Sequence, residues 1–366
     1  MKTKQNHPEN HPHYKGLSVN EGVSSVPAVN PYIQNKRKRR NFTADELVEG
    51  ICAGNRAILS QAITLIESAL PEHQLLAQQV IEKCLPHAGK SVRVGITGVP
   101  GAGKSTFIEA MGMYLVRNGH KLAVLAIDPS SERSKGSILG DKTRMEELSV
   151  AANAFIRPSP SAGSLGGVAR KTRESMILCE AAGFNTIFVE TVGVGQSETA
   201  VHSMVDFFLL LQLAGTGDEL QGIKRGIMEM ADGIAINKCD GNNKDKAGLA
   251  RIQFQNALHL FPTPASGWKP KVLTCSAVEL IGIPEIWKMI ADFVSFSTTN
   301  GFFDDKRIQQ SKYWMYETIN EQLKNSFYQN IKIKKLLAEA ERDVITNKKS
   351  SFVAAKDTLD YYRTIK

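Results

Sequence analysis

Cysteine is scarce in this sequence: there are five in 366 residues, at Cys52, Cys84, Cys179, Cys239 and Cys275. They are odd in number, and none stands at metal-ligand spacing from another. They therefore read as reduced thiols, not as a disulfide frame or a structural zinc site. No Cys-x-His or Cys-Pro-Cys string occurs that would offer a soft metal a paired site. Long apolar runs are missing too. The longest, Phe207 to Leu213, is far too short to span a bilayer. The first residues, Met1 to Lys4, are basic but lead into polar residues and prolines with no apolar segment, which excludes a standard secretory signal. No arginine precedes Arg37, and Glu9 and Glu21 interrupt the stretch, against a mitochondrial presequence. These absences together predict a cytoplasmic protein with no membrane partner. No internal repeat is present.

Net positive charge is absent from the middle of the chain, although the whole chain carries +8. Residues 1–40 hold eight Lys/Arg against two Glu, and residues 301–366 hold thirteen Lys/Arg against nine Asp/Glu, so the body between them is slightly acidic. A basic platform for nucleic acid is thereby excluded from the body. The run Lys36-Arg37-Lys38-Arg39-Arg40 reads as a solvated junction, or as a patch for polyanions or lipid headgroups.

What is present is ordinary globular composition, 42% apolar and 22% charged. Four regions follow from its patterning. Residues 1–40, rich in Asn, His, Pro and Ser, predict a disordered basic tail. Residues 41–88 predict a helical segment: Thr43 with Glu46 forms a capping box, and Leu47, Ile51, Ile58, Ile63 and Leu65 carry helical spacing on to Leu85. Residues 89–298 alternate apolar runs with amphipathic stretches. The runs are Val92–Thr97, Leu122–Ile127, Thr186–Glu190, Phe207–Leu213, Gly233–Asn237 and Val272–Cys275. Near-continuous apolar strands between helices predict an α/β domain with a mostly parallel, doubly wound sheet. Residues 299–366 predict a helical arm with Trp314, Ile319 and Leu323 on an apolar stripe, to pack on the core or on a second subunit.

The strand Val92–Thr97 runs into Gly98-Val99-Pro100-Gly101-Ala102-Gly103-Lys104-Ser105-Thr106, a full match to the P-loop pattern G-x-x-x-x-G-K-[ST]. Glycine lets the loop wrap phosphate closely with its N–H groups turned inward. Lys104 would reach the β- and γ-phosphates, and Ser105 would ligate Mg²⁺. Farther on, Ile234–Ile236 leads into Asn237-Lys238-Cys239-Asp240, the N-K-x-D pattern. Two hydrogen bonds from guanine N1–H and its amine suit the Asp240 carboxylate, and adenine offers neither. The Lys238 stem can lie along the base, Asn237 can tie this loop to the phosphate loop, and Ser276-Ala277-Val278 can offer an N–H to guanine O6. The bound nucleotide is thus predicted to be GTP or GDP.

Candidates for magnesium and hydrolysis lie between these loops. Asp128 follows the strand Leu122–Ile127, and Asp141 sits in Gly140-Asp141-Lys142-Thr143-Arg144. Glu190 ends the strand Thr186–Glu190 in Glu190-Thr191-Val192-Gly193. Strand ends in a doubly wound sheet open on one crevice, where these carboxylates can converge on Mg²⁺ and water. Read alone, Asp141 serves equally as a helix N-cap or a metal contact. Gly193 would meet the γ-phosphate. The predicted reaction is water attack on that phosphate, with Lys104, Glu190 and Gly193 as the catalytic set.

From residue 43 to about 360 the chain resembles the MeaB/ArgK/MMAA family of P-loop G proteins. The strings that carry the resemblance are Gly98–Thr106, Asp128–Ser131, Gly136–Met145, Glu190–Glu198 and Gly217–Lys224. The resemblance implies a GTPase chaperone that gates adenosylcobalamin loading of methylmalonyl-CoA mutase, or of a related acyl-CoA mutase, and protects it. It implies a homodimer built with the C-terminal arm, and Mg²⁺ contacts at Ser105, Asp128, Asp141 and Glu190. The segment Gly215 to Lys224 resembles the family's extra switch, with Lys224 as its candidate relay residue. Two alternatives stand beside this reading. One is a nickel-type GTPase metallochaperone, which His7, His11 and His13 bring to mind; the other is a kinase of a transport system, after older naming in the family.

Overall fold

Continuous apolar runs become buried parallel strands because both of their faces must be covered. Among the described residues seven strands form one sheet: β1 (Val92–Gly98), β2 (Leu122–Ile127), β3 (Ala154–Arg157), β4 (Thr186–Thr191), β5 (Phe207–Leu213), β6 (Gly233–Asn237) and β7 (Lys271–Thr274). Their order is β3-β2-β4-β1-β5-β6-β7, and every pairing is parallel. The computed structural model describes residues 42–127, 145–158, 165–191, 197–214 and 225–365. The expected tail, residues 1–40, lies outside them.

Side chains alternate across the sheet. On one face Val94, Ile96, Val124, Phe188, Leu209 and Leu211 pack with Phe107, Met111 and Leu115 of the helix Lys104–Arg117, and with Ile286, Ile290 and Phe293 of the helix Ile283–Thr299. Around β6, Leu210, Ile234, Ile236 and Val272 pack with Ala247 and Phe254 of the helix Lys244–Leu258. Each fully buried Leu, Ile or Phe contributes roughly 1.5–3 kcal/mol of transfer free energy. This is the expected α/β class, with a sheet that is parallel throughout.

The strand β3 was not expected. Its four residues, Ala-Phe-Ile-Arg, are too few to show a period, and they pair only with β2 at the sheet's edge. The N-terminal segment is three helices, Ala44–Cys52, Arg56–Glu67 and Pro71–Cys84. Thr43 and Glu46 form the expected capping box. The first break comes where Asn55 accepts from the N–H groups of Ala57 and Ile58, and the second where Pro71 opens a new helix. Those breaks shift the register, so Leu59 and Ile66 are buried while Ile58 and Leu65 are half-buried.

The C-terminal region is also three helices, Phe302–Gln329, Ile331–Ile345 and Ser351–Thr364. The first of them docks at the edge of the sheet where the strands begin. The Asp206 carboxylate accepts from the Arg93 N–H at 2.8 Å and from Arg307 Nε and Nη2 at 2.8 and 2.7 Å. Arg307 also donates to the Gly89 and Ser91 carbonyls, 2.6 Å each, and Trp314 Nε1 donates to the Ser203 carbonyl at 3.1 Å. Of the expected stripe only Trp314 is buried; Ile319 and Leu323 are 45% and 52% exposed.

Asp206 is 1% exposed and grips a strand start and the arm together. Asp206→Ala leaves Arg307 charged and without its carboxylate, a change expected to cost about 3–5 kcal/mol. Urea unfolding checks the magnitude, and limited proteolysis should release fragments of the arm first. A loss under about 1 kcal/mol would show that the pair does not hold the arm.

Candidate nucleotide-binding site

A phosphate-sized turn between a buried strand and a helix needs close backbone approach, and two glycines supply it. At Gly98 a Cβ would lie 2.3 Å from the Leu211 carbonyl oxygen of β5. Gly103 has φ +80° and caps the helix Lys104–Arg117; a Cβ there would lie 2.9 Å from Asn237 Nδ2. Among the other loop residues Ala102 is buried, Val99, Lys104 and Ser105 are half-buried, and Pro100, Gly101 and Thr106 are exposed. Lys104 Nζ donates to the Gly98 carbonyl at 2.9 Å and the Val99 carbonyl at 3.4 Å. Burial lowers the Lys104 pKa from its ordinary value, while the negative charges of Glu190 and Glu198 act to raise it.

The second loop is fastened to the first by one side chain. Asn237, 2% exposed at the end of β6, donates through Nδ2 to the Ala102 carbonyl at 2.8 Å. Its Oδ1 accepts from the Ala277 N–H at 3.2 Å. Lys238 follows at φ +59°, a left-handed conformation that costs a bulky residue about 1–3 kcal/mol. Asn243 Nδ2 holds that turn by donating to the Lys238 carbonyl at 2.7 Å. The Asp240 carboxylate is half-exposed and accepts from Ser276 Oγ at 2.5 Å. Ser276 is pinned by a reciprocal backbone pair with Ile281, at 2.9 and 3.0 Å, whereas Val278 is 78% exposed. The structure therefore brings together Gly98 to Thr106, Asn237, Asp240, Ser276 and Ala277 at the ends of β1, β6 and β7.

Glu190 lies on β4, next to β1, with Ile96 as its register partner. Ser105 Oγ donates to Glu190 Oε1 at 3.3 Å. One residue on, Thr191 Oγ1 donates to Thr97 Oγ1 at 2.8 Å in a buried contact that ties the two strand ends. Asp128, Asp141, Gly193 and the segment Gly215 to Lys224 lie outside the described residues. Glu198 is a residue that sequence reasoning passed over. It is 1% exposed in the first turn of the helix Ser197–His202, and its charge acts on Lys104. An acidic residue opening a helix after a glycine-rich stretch was the available signal. Chemically, the arrangement offers the Lys104 cation and a serine–carboxylate pair at the glycine-rich loop, with the Asp240 carboxylate at the second loop.

The chain is similar to known proteins over most of its length. A family profile described as "Methylmalonyl Co-A mutase-associated GTPase MeaB" matches residues 59–332. "GTPase ArgK" of Escherichia coli (strain K12) is 52% identical over 288 residues, covering 79% of this chain and 87% of that protein. "Methylmalonic aciduria type A homolog, mitochondrial" of Mus musculus is 44% identical over 337 residues, covering 89% and 81%. A crystal structure titled "LAO/AO transport system kinase" superposes with a TM-score of 0.70 at 42% identity, over 87% of this chain and 97% of that one.

Asn237→Ala removes a donor and an acceptor that satisfy two backbone groups in different loops. Each group left unsatisfied costs about 1–3 kcal/mol. Guanine-nucleotide affinity should fall at least about tenfold, measured with a fluorescent GDP analogue, together with a drop in thermal stability of the unliganded protein. Unchanged affinity would mean that the two loops keep their spacing without the amide.

Proposed function

This chain belongs to the family of methylmalonyl-CoA mutase-associated GTPases, and we propose that it acts as a G-protein chaperone of that mutase or of a related acyl-CoA mutase, gating its loading with adenosylcobalamin. GTP hydrolysis is the activity for which its relatives are named. The observation that carries the guanine reading is the Asn237 bridge, which sets Asp240 at a fixed offset from the phosphate loop. From that offset the Asp240 carboxylate accepts hydrogen bonds from guanine, and the Lys238 stem lies along the base.

In the proposed reaction Lys104 leaves the Gly98 and Val99 carbonyls to neutralise charge on the β- and γ-phosphates. Mg²⁺ suits the donors present, because the Ser105 hydroxyl and Glu190 carboxylate are hard oxygens adjacent to the phosphate loop. When bound, the ion supplies further charge neutralisation at the transferring phosphate. Asp128 and Asp141 complete the proposed ligand set, and Gly193 is the proposed γ-phosphate contact. Glu190 orients the attacking water or holds the ion. Catalysis is then mostly positioning, so intrinsic turnover is slow until a partner orders the switches.

A homodimer is part of the proposal. Ile319, Leu323, Tyr328, Ile331, Phe352 and Leu359 of the three arm helices are each at least 45% exposed, an apolar surface that a second copy would cover. The free thiols fit a reducing compartment, and a cytoplasmic location is proposed with them.

Two experiments test the reading. Calorimetric titration should show GTP bound well above ATP, with Asp240→Ala weakening GTP by at least about tenfold through loss of charge-assisted hydrogen bonds. Equal affinity of the wild-type protein for ATP sinks the guanine assignment. Hydrolysis measured with and without apo-methylmalonyl-CoA mutase should rise with the mutase, and the nucleotide state should control adenosylcobalamin transfer. A rate and a transfer that both ignore the mutase would remove it as partner.

A further inference from the structure

Away from the nucleotide loops, a cavity of about 260 Å³ opens where three parts of the chain meet. Its walls are the end of the N-terminal helices (Leu85, Gly89), the helix Leu165–Ala181 (Arg173, Ile177, Glu180) and the arm (Arg307, Gln310). Arg93, at the start of β1, completes it.

The charges at this cavity do not balance. Arg93 is matched by Glu180, with Nε to Oε1 at 2.8 Å and Nη2 to Oε2 at 2.9 Å. Arg307 is matched by Asp206 in the same two-bonded way, at 2.8 and 2.7 Å. Glu174, beside Arg173 in the chain, is taken by Arg170 at 3.0 Å. Arg173 is left over. Its guanidinium lies over the Trp314 ring, 4.6 Å from the centroid, and its Nη1 is buried with no hydrogen-bond partner. Burial, and then the neighbouring Arg93 charge, push its pKa down to about 10, so it remains a cation at neutral pH.

A half-buried cation near a second cation is costly unless an anion joins it. Guanidinium groups match planar and tetrahedral oxyanions better than any other side chain does. Water takes roughly 30 Å³ per molecule, so the cavity has room for a five-atom ion and some hydration. We propose that this cavity binds a small tetrahedral oxyanion of the phosphate class, held by Arg173 from the body and by the second amide hydrogen of Gln310 from the arm, whose Nε2 also donates to the Val205 carbonyl at 2.9 Å. The ion completes the charge balance of the joint and strengthens the docking of the arm.

The test titrates inorganic phosphate calorimetrically into protein already saturated with Mg²⁺ and a non-hydrolysable GTP analogue, which keeps the phosphate loop occupied. Sodium chloride at matched ionic strength is the control. Wild-type protein should bind one phosphate and melt at a higher temperature as the site fills. Arg173→Met should lose that response. Ile177→Glu keeps the arginine but sets a carboxylate four residues on along the same helix face, and it should lose the response too. No wild-type response beyond the chloride control overturns the proposal, and so does phosphate binding at wild-type strength in either folded variant.

Discussion

The carboxamide of Asn237 has one donating and one accepting end, and both are used between loops that are distant in sequence. Nδ2 reaches back to the Ala102 carbonyl of the phosphate loop, and Oδ1 receives the Ala277 N–H beyond β7. In the sheet β5 separates β1 from β6, so this side chain spans a strand's width that no backbone ladder covers. Gly103 is needed for the same reason, since a Cβ there would press on Nδ2 at 2.9 Å. The left-handed turn at Lys238 and the Ser276 contact to Asp240 are then consequences. With the strand end fixed at Asn237, the chain must turn within one residue to present its carboxylate.

A second set of interactions holds the opposite edge, and its chemistry differs in kind. There the groups are charged and paired: Arg93 with Glu180, Arg307 with Asp206, and Lys306 with Asp232 at 3.8 Å. Such pairs contribute little net stability when complete but cost several kcal/mol when half is removed. They specify where the arm sits. Neutral amide bonds set the geometry where a charged ligand is to bind, and ion pairs set it where none of the nucleotide's charge arrives.

Patterns of two kinds were legible before any geometry. Apolar runs buried on both faces announce themselves, so six of the seven strands and the α/β class could be read, several to the residue. Glycine-rich and N-K-x-D strings announce themselves because few residue types meet their backbone and charge demands. Edge strand β3 could not be read, because four residues carry no period. The helix breaks at Gly54-Asn55 and Pro71 carried their own stop and start signals, but the apolar spacing traced from Leu47 to Leu85 passed over them. Glu198 was hidden for another reason: only the tertiary fold buries it beside Lys104. The same holds for the arginine cavity, whose residues come from positions 85 to 311.

The two edges are joined by β5. Asp206, gripped by Arg93 and Arg307, immediately precedes it, and the Leu211 carbonyl near its far end sits against Gly98. Seven strand residues span about 23 Å. Two unit charges that far apart interact by under ~1 kcal/mol at an effective dielectric near 20, and salt reduces this further. Loss of the γ-phosphate at one edge therefore cannot act on the arm appreciably through charge alone. The strand itself is the stronger route. It is paired in register on both sides, from Val94–Phe207 to Gly98–Leu211 and from Leu209–Gly233 to Leu213–Asn237. A shift of the phosphate loop against Leu211 must move β5 as a body or break those pairings. A signal carried by β5 between nucleotide and arm is thus constrained to be a small rigid displacement of a strand that also bears the Asn237 end of β6.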